Sequence, residues 1–235
     1  MKFAIIAAGD GSRLADEGIT LPKPLVKVRN VPLIDRLIRI AEQSNAEQVN
    51  IIVNERMREV REHLFNSHYN IPVIVVVQST PSSMHSLFVL APYLLQSPFC
   101  LVTVDTIFYE QEFQQYLVFA QSRRGSDGVL AVTDFIDDEK PLCVELDENR
   151  RIIRFSDTKE QYRYATGGIY YFSPRIFDVM NEVLATGTLR LRNFLRYLID
   201  HGYTLCAFPF SKIIDVDHAS DIRVAEQFLA EEEHR

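Results

Sequence analysis

Two glycines, an arginine and a lysine stand close together near the start of this chain, in the runs Gly9-Asp10-Gly11-Ser12-Arg13-Leu14 and Leu21-Pro22-Lys23-Pro24-Leu25. The glycine run follows Lys2-Phe3-Ala4-Ile5-Ile6-Ala7-Ala8, a short apolar stretch that reads as a buried strand. Glycines at a strand end permit positive φ and close backbone approach, so several N–H groups can point at one anion. Arg13 and Lys23 would neutralise charge that backbone dipoles cannot. The expected ligand is a polyphosphate. Neither commoner phosphate loop fits. A dinucleotide fingerprint needs a third glycine where Leu14 stands, and an acidic residue about twenty positions on; Asp35 falls near that distance but inside an apolar-periodic helix pattern. A P-loop needs Gly-Lys-Ser or Gly-Lys-Thr, and neither triplet occurs in the chain.

Further chemistry-bearing residues lie at other strand ends. Asp105 follows the apolar run Phe99 to Val104. A carboxylate there is solvated in a cleft, bound to a cation, or the N-cap of a helix beginning near Ile107; position alone leaves these open. Asp215-Val216-Asp217 offers a second pair. If these residues are extended, both carboxylates face one side and reach one cation. Gln78-Ser79-Thr80-Pro81-Ser82-Ser83 lies between a strand and a helix, where Gln78 or Ser83 can read a base edge, or Ser83 can cap the helix. Paired glycines in Thr166-Gly167-Gly168 interrupt a strand and mark a bulge or a close ligand approach.

Ala8-Gly9-Asp10-Gly11-Ser12-Arg13-Leu14 with Pro22-Lys23-Pro24-Leu25 resembles the signature of the nucleotidyltransferases that join a nucleoside triphosphate to a phosphorylated sugar or alcohol. The resemblance implies a Rossmann-like nucleotidyltransferase fold and release of pyrophosphate. It implies that Ala8, Gly9, Gly11 and Ser12 bind nucleotide with Gln78 and Ser83, and that Arg13 and Lys23 are catalytic. It makes Asp105 a Mg²⁺ ligand together with Asp217 or Asp215, with Val104 standing where the family usually has glycine. The run Asp215 to Ile222 resembles the family's terminal Asp-Val-Asp-Thr-Pro-Glu-Asp-Leu, with His218-Ala219 in place of Thr-Pro. Asp221 also reads simply as an acid in the first turn of the closing helix. Thr166-Gly167-Gly168-Ile169-Tyr170 resembles the family's Asn-x-Gly-Ile-Tyr, which makes Thr166 and Gly168 acceptor-binding residues. Tyr164, Lys159 and Lys212 are weaker candidates for an acceptor phosphate. His85 and His218 have no second histidine at ligand spacing.

The elements that must position these residues alternate through the first half. Strands are expected at 3–8, 49–53, 71–77 and 99–104, with helices at 33–44, 56–65 and 84–95. Near-continuous Val/Ile strands separated by helices predict a mostly parallel sheet covered on both faces, with ligands at the carboxyl ends of its strands. The second half is more antiparallel, with strands at 128–132, 142–146, 151–155, 168–172 and 205–208. Helices are expected at 174–184, 189–201 and 219–231. One α/β domain results, with a nucleotide-binding half of about residues 1–125 and an acceptor-binding half of about 126–235.

With 235 residues, 47% apolar and 24% charged, the chain can bury a sizeable core. Its net charge of −7 argues against a general nucleic-acid surface. Cys100, Cys143 and Cys206 have no metal spacing and read as buried thiols of a reducing compartment. No secretory leader or membrane span is visible, so a stand-alone cytoplasmic enzyme is expected, free to form a homo-oligomer. The expected partners are an NTP and a phosphorylated small molecule. A sugar 1-phosphate comes first, and a phosphoalcohol such as phosphocholine or an inositol phosphate second. A metal-dependent glycosyltransferase is the less favoured class, because Asp105 is followed by Thr106-Ile107 rather than completing Asp-x-Asp.

Overall fold

A computed structural model describes residues 1–136, 140–159 and 162–232. The chain runs β1 (Lys2–Ala7), α1 (Ser12–Asp16), β2 (Lys27–Val28), β3 (Val31–Pro32), α2 (Leu33–Gln43), β4 (Val49–Val53), α3 (Arg58–Asn66), β5 (Val73–Val77) and α4 (Ser83–Leu94). It continues through β6 (Phe99–Thr103), β7 (Thr106–Ile107), α5 (Glu110–Ser122), β8 (Gly128–Thr133), β9 (Cys143–Leu146), β10 (Ile152–Ser156) and β11 (Tyr164–Phe172). The last elements are α6 (Met180–Ala185), α7 (Leu191–Asp200), β12 (Leu205–Phe210), β13 (Ile214–Asp215) and α8 (Ala219–Glu232). The helix expected over 174–184 is split, with a 3₁₀ turn at Pro174–Phe177 ahead of α6.

One nine-stranded sheet organises the molecule, in the order β10-β9-β11-β6-β1-β4-β5, with β8 and β12 branching from β11. The strands β6, β1, β4 and β5 are mutually parallel, whereas β11 pairs antiparallel with β6, β8 and β9. The antiparallel pairs among β8, β9, β10 and β11 follow from short connections, whereas β12 pairs parallel with β8 after the long crossover through α6 and α7. Along β1 alternate side chains divide the core. Phe3, Ile5 and Ala7 join one apolar cluster with residues of α2, α3, α5 and α8, while Ala4 and Ile6 join another with residues of α4 and α7. Both faces of the sheet are therefore covered, which is why β1 and β4 are apolar almost without interruption.

Two features of this architecture place the site. The chain leaves β1 toward β4 on one side and returns to β6 on the other, so a crevice opens at the carboxyl ends of β1 and β6. Second, β7 and β13 form a separate two-stranded antiparallel ribbon, pairing Ile107 with Ile214 and Thr106 with Asp215. Val216 N–H continues that ribbon by donating to the Asp105 carbonyl at 2.9 Å. Strands of two residues carry no periodicity, and the sequence gives no warning of either. Asp105 is not a helix cap, because the helix expected near Ile107 begins at Glu110 after β7.

Candidate active site

The loop after β1 is built around Gly11. Its backbone is left-handed (φ 62°, ψ 29°), and a Cβ there would stand 3.1 Å from the Lys23 Cβ. Only glycine meets both demands without strain. Gly9 has no such requirement: nothing lies within 4 Å of its would-be Cβ, so it contributes open space rather than a special conformation. Leu14 is 1% exposed and anchors α1 in the core, which explains why this loop cannot carry a third glycine at that position. Burying such a side chain contributes about 1.5–3 kcal/mol, enough to fix the short helix that presents Arg13. Asn54, buried after β4, donates to Asp10 Oδ1 at 3.0 Å and accepts from the Ser79 hydroxyl at 3.1 Å. It ties the loop to the end of β5, a role with no sequence signal beyond a polar residue closing an apolar strand.

Lys23 lies at the centre. Its Nζ donates to Asp105 Oδ2 at 2.5 Å and to Asp217 Oδ1 at 2.5 Å, bridging residues 82 and 194 positions away. Arg13 Nη1 donates to the other oxygen of Asp217 at 2.6 Å. Burial alone would lower the pKa of Lys23, but the two carboxylates outweigh it and hold it above the ordinary lysine value. Burial would likewise raise Asp105, and the Lys23 charge and hydrogen bond hold it below the usual carboxylate range. These residues line a cavity of about 420 Å³ together with Gly9, Gly11, Ser12 and Ser83. It is a concave site with cations and carboxylates interleaved.

Asp105 and Asp217 thus converge on the Lys23 ammonium. Asp215 does not join them. The strand ends at Asp215, and Asp217 N–H turns back onto the Asp215 carbonyl at 3.1 Å, so the extended geometry expected for this triplet is absent. The Asp215 carboxylate instead receives the Thr106 hydroxyl at 3.5 Å and lines a second cavity of about 300 Å³. Among the described residues, no group of three or more His, Cys, Asp or Glu side chains is placed to hold a metal. The donor set that fits a divalent cation is the Asp105–Asp217 pair, completed by oxygens from a ligand.

The second cavity shares Ser83, Thr103 and Asp105 with the first. Thr166, Gly168 and Tyr170 of β11 face it, with Arg190, Leu191 and Arg192 opposite. β11 is irregular between Thr166 and Tyr170. A Cβ on Gly168 would come within 2.5 Å of Thr103 Oγ1, and one on Gly167 within 2.3 Å of Ile213 Cδ1. The glycines therefore let β11 cross the β7–β13 ribbon closely, and the Thr103–Thr106 hydroxyl pair (2.7 Å) stands against Gly168. Burial and the nearby Asp215 charge push the Tyr170 phenol well above its ordinary value, so it stays a neutral donor.

Ala8 and Gln78 line neither of these two cavities. Ala8 is half-buried behind the loop, and Gln78 is exposed at the end of the edge strand β5. Ser83 is the first residue of α4 and Ser82 is its N-cap, which makes no side-chain cap hydrogen bond; the Ser83 hydroxyl accepts from Leu191 N at 3.2 Å, as Ser82 Oγ does from Arg190 N at 3.0 Å. Lys159 donates to the Ile136 carbonyl, Lys212 lies over the Phe135 ring, and Tyr164 is covered by Arg163. None of the three lines the second cavity. His85 bonds Ser82, and His218 bonds Glu17, whose carboxylate also accepts from Ala219 N at the start of α8. Asp221 accepts from the backbone N–H groups of Asp217 and His218, which holds the turn carrying Asp217. Asp35 binds His63 and Tyr69, tying α2 to α3 far from the loop.

A family profile described as nucleotidyl transferase matches residues 2–232. The bifunctional protein GlmU of Thermodesulfovibrio yellowstonii is 23% identical over 97% of this chain and 52% of its own length. Mannose-1-phosphate guanyltransferase of Schizosaccharomyces pombe is 28% identical over 76% of this chain and 51% of its own length. The chain thus spans about half the length of these curated relatives. Among solved structures, the inositol-1-phosphate CTP transferase from T. maritima superposes with a TM-score of 0.83 at 21% identity, covering 99% of this chain and 96% of that one. No helix among the described residues is long and apolar enough to cross a membrane.

Proposed function

The chain belongs to the nucleotidyl transferase family, and we propose that it transfers a nucleotidyl group from an NTP to a sugar 1-phosphate, releasing pyrophosphate and forming an NDP-sugar. The observation that carries this reading is the Lys23 ammonium held between Asp105 and Asp217 at the mouth of the Gly9–Arg13 loop. The site has a cationic phosphate cradle and a carboxylate pair, and the reaction needs no more than positioning and charge neutralisation.

In this reading the triphosphate lies in the cavity of Gly9, Gly11, Ser12, Arg13 and Lys23. An oxygen of the acceptor phosphate, already ionised near neutral pH, attacks the α-phosphorus from the adjoining cavity. The bond from the α-phosphorus to the bridging oxygen breaks, and pyrophosphate leaves with the electron pair. No proton need be removed from the nucleophile, so no general base is required. Arg13, on an exposed helical turn, neutralises the departing phosphates. Lys23 turns from the carboxylates toward the α-phosphate, where charge builds in the transition state. Asp105 and Asp217 would hold Mg²⁺, which supplies Lewis-acid polarisation of the phosphoryl oxygens. Thr166 and the backbone at Gly168 border the acceptor.

The relatives named for hexose phosphates support the sugar acceptor as first choice, and a phosphoalcohol such as inositol phosphate fits the same cavity. Pyrophosphate release measured for each NTP against a panel of phosphorylated sugars and alcohols tests the reading. Release dependent on a phosphorylated acceptor is the expected result. Release of sugar from a nucleotide sugar, with no pyrophosphate, would replace it with glycosyl transfer.

A further inference from the structure

The acceptor cavity has two ends of opposite character. At one end Ser83, Thr103 and Asp105 are shared with the triphosphate cavity, so the attacking phosphate belongs there. At the other end Arg190 and Arg192 are shared with an outer cavity of about 370 Å³ that also contains Lys140, Arg196 and Asp157. Among the described residues, the guanidiniums of Arg190, Arg192 and Arg196 meet one carboxylate there, Asp157, on a protein whose net charge is −7. Such a local excess is costly unless an anion visits it.

The two arginines are built into place by different means. Arg192 Nη2 donates to the Lys140 carbonyl at 2.7 Å, and its Nη1 pairs with Asp157 at 3.2 Å. Asp157 is in turn held by Arg196 at 2.7 Å. Arg190 has the backbone geometry φ 71°, ψ 141°, a region that side-chain-bearing residues rarely enter and that costs about 1–3 kcal/mol. The hydroxyls of Ser82 and Ser83 fasten that strained turn through the N–H groups of Arg190 and Leu191. The Arg190 guanidinium has no hydrogen-bond or ion-pair partner among the described residues. A strained turn that delivers a guanidinium with no partner among the described residues, beside a clamped one, reads as recognition geometry.

Resting on the proposed function, we infer that Arg190 and Arg192 form an anion subsite at the far end of the acceptor cavity, and that the acceptor carries a second anionic group, a carboxylate or a phosphate, besides the phosphate that attacks. Paired guanidiniums bind either group by charge-assisted, fork-shaped hydrogen bonds. The same pair repels a quaternary ammonium, which sets phosphocholine aside as acceptor. Arg190 and Arg192 are specificity residues here, remote from the bond that breaks.

The test is calorimetric titration of the full chain, without nucleotide, using glucose 1-phosphate, glucuronate 1-phosphate, glucose 1,6-bisphosphate and phosphocholine as probes. A member of the doubly anionic pair should bind at least about tenfold tighter than glucose 1-phosphate, the scale of one charge-assisted pair. Which member does so distinguishes carboxylate from phosphate. Arg190→Gln, which removes no side-chain contact made among the described residues, and Arg192→Gln should each weaken binding of the doubly anionic probe at least about tenfold more than binding of glucose 1-phosphate. Equal binding of singly and doubly anionic probes, binding of none, or loss of both alike in the variants overturns the subsite. Pyrophosphate release is scored separately. Anion-selective binding without release for any NTP leaves the subsite standing and removes nucleotidyl transfer. Release as fast with neutral-tailed acceptors as with doubly anionic ones does the reverse.

Discussion

Replacing Lys23 by methionine separates the two roles that the geometry gives this residue. The ammonium stands 2.5 Å from one oxygen of Asp105 and 2.5 Å from one of Asp217, so it occupies the point at which a divalent cation would bind the pair. Ammonium and metal compete for the same oxygens. Each charge-assisted hydrogen bond contributes about 1.5–3 kcal/mol. The Asp217 side chain is 36% exposed and keeps Arg13, which places the combined loss near the lower end, at about 3 kcal/mol. Lys23→Met should therefore bind Mn²⁺ without nucleotide about 100-fold more tightly than the wild type. Electron paramagnetic resonance of free Mn²⁺ measures this directly, and a Mn²⁺-dependent rise in melting temperature confined to the variant should accompany it. Turnover in the same variant should fall by about 10²–10³, the cost of removing one preorganised donor from a phosphoryl-transfer site. Equal Mn²⁺ affinity in wild type and variant would refute the reasoning, because Lys23 would then not be competing for the carboxylate pair.

Three other expectations follow from particular contacts. Gly11→Ala forces an L-residue into the left-handed region against Lys23 and should cost about 1–2 kcal/mol in urea unfolding while raising the KM for NTP. Asp127 is buried and accepts from Arg175 at 2.9 Å and from Thr204 N at 2.8 Å; Asp127→Ala should cost about 2–4 kcal/mol, and Asp127→Asn clearly less, since the amide oxygen still serves Thr204. Cys100, Cys143 and Cys206 are buried, and burial pushes the Cys100 and Cys143 thiols up, so a disulfide reagent should leave the native protein unmodified and titrate three thiols after denaturation. Rapid reaction of the native protein would contradict that packing.

Much of the fold was legible because its central strands carry their own signal. β4 is found at 49–53 as expected, since Val49, Ile51, Ile52 and Val53 are buried on both faces and read as one apolar run. α5 was less legible. Phe113, Tyr116, Leu117 and Ala120 have helical spacing, but the segment follows Asp105 so closely that the expectation started it near Ile107, where the ribbon strand lies. In the site, Arg13, Lys23 and Asp105 could be singled out because each sits beside a strand end or in a local motif. The sequence favours Asp217 over Asp215 only narrowly, because a two-residue strand and a turn held by Asp221 decide which of them meets Lys23. Arg190 and Arg192 were missed for another reason. On paper they belong to a charged helix face; the Ser82 and Ser83 hydroxyls, 108 positions distant, fasten the turn at Arg190 and Leu191, and Asp157 with the Lys140 carbonyl holds Arg192.

The β7–β13 ribbon has a consequence for how the protein is made. Synthesis is vectorial, so Lys23 and Asp105 leave the ribosome long before Asp217, which lies 194 positions after its lysine partner. A nascent chain that has laid down the parallel strands can already join Lys23 to Asp105 but has no second carboxylate to offer. Closing so large a loop is entropically slow, which puts the last joint of the site late in folding. The Asp217 corner of the cavity is thereby missing until the C-terminal segment has docked, so on the proposed function an unfinished chain would lack one of the two carboxylates of its site.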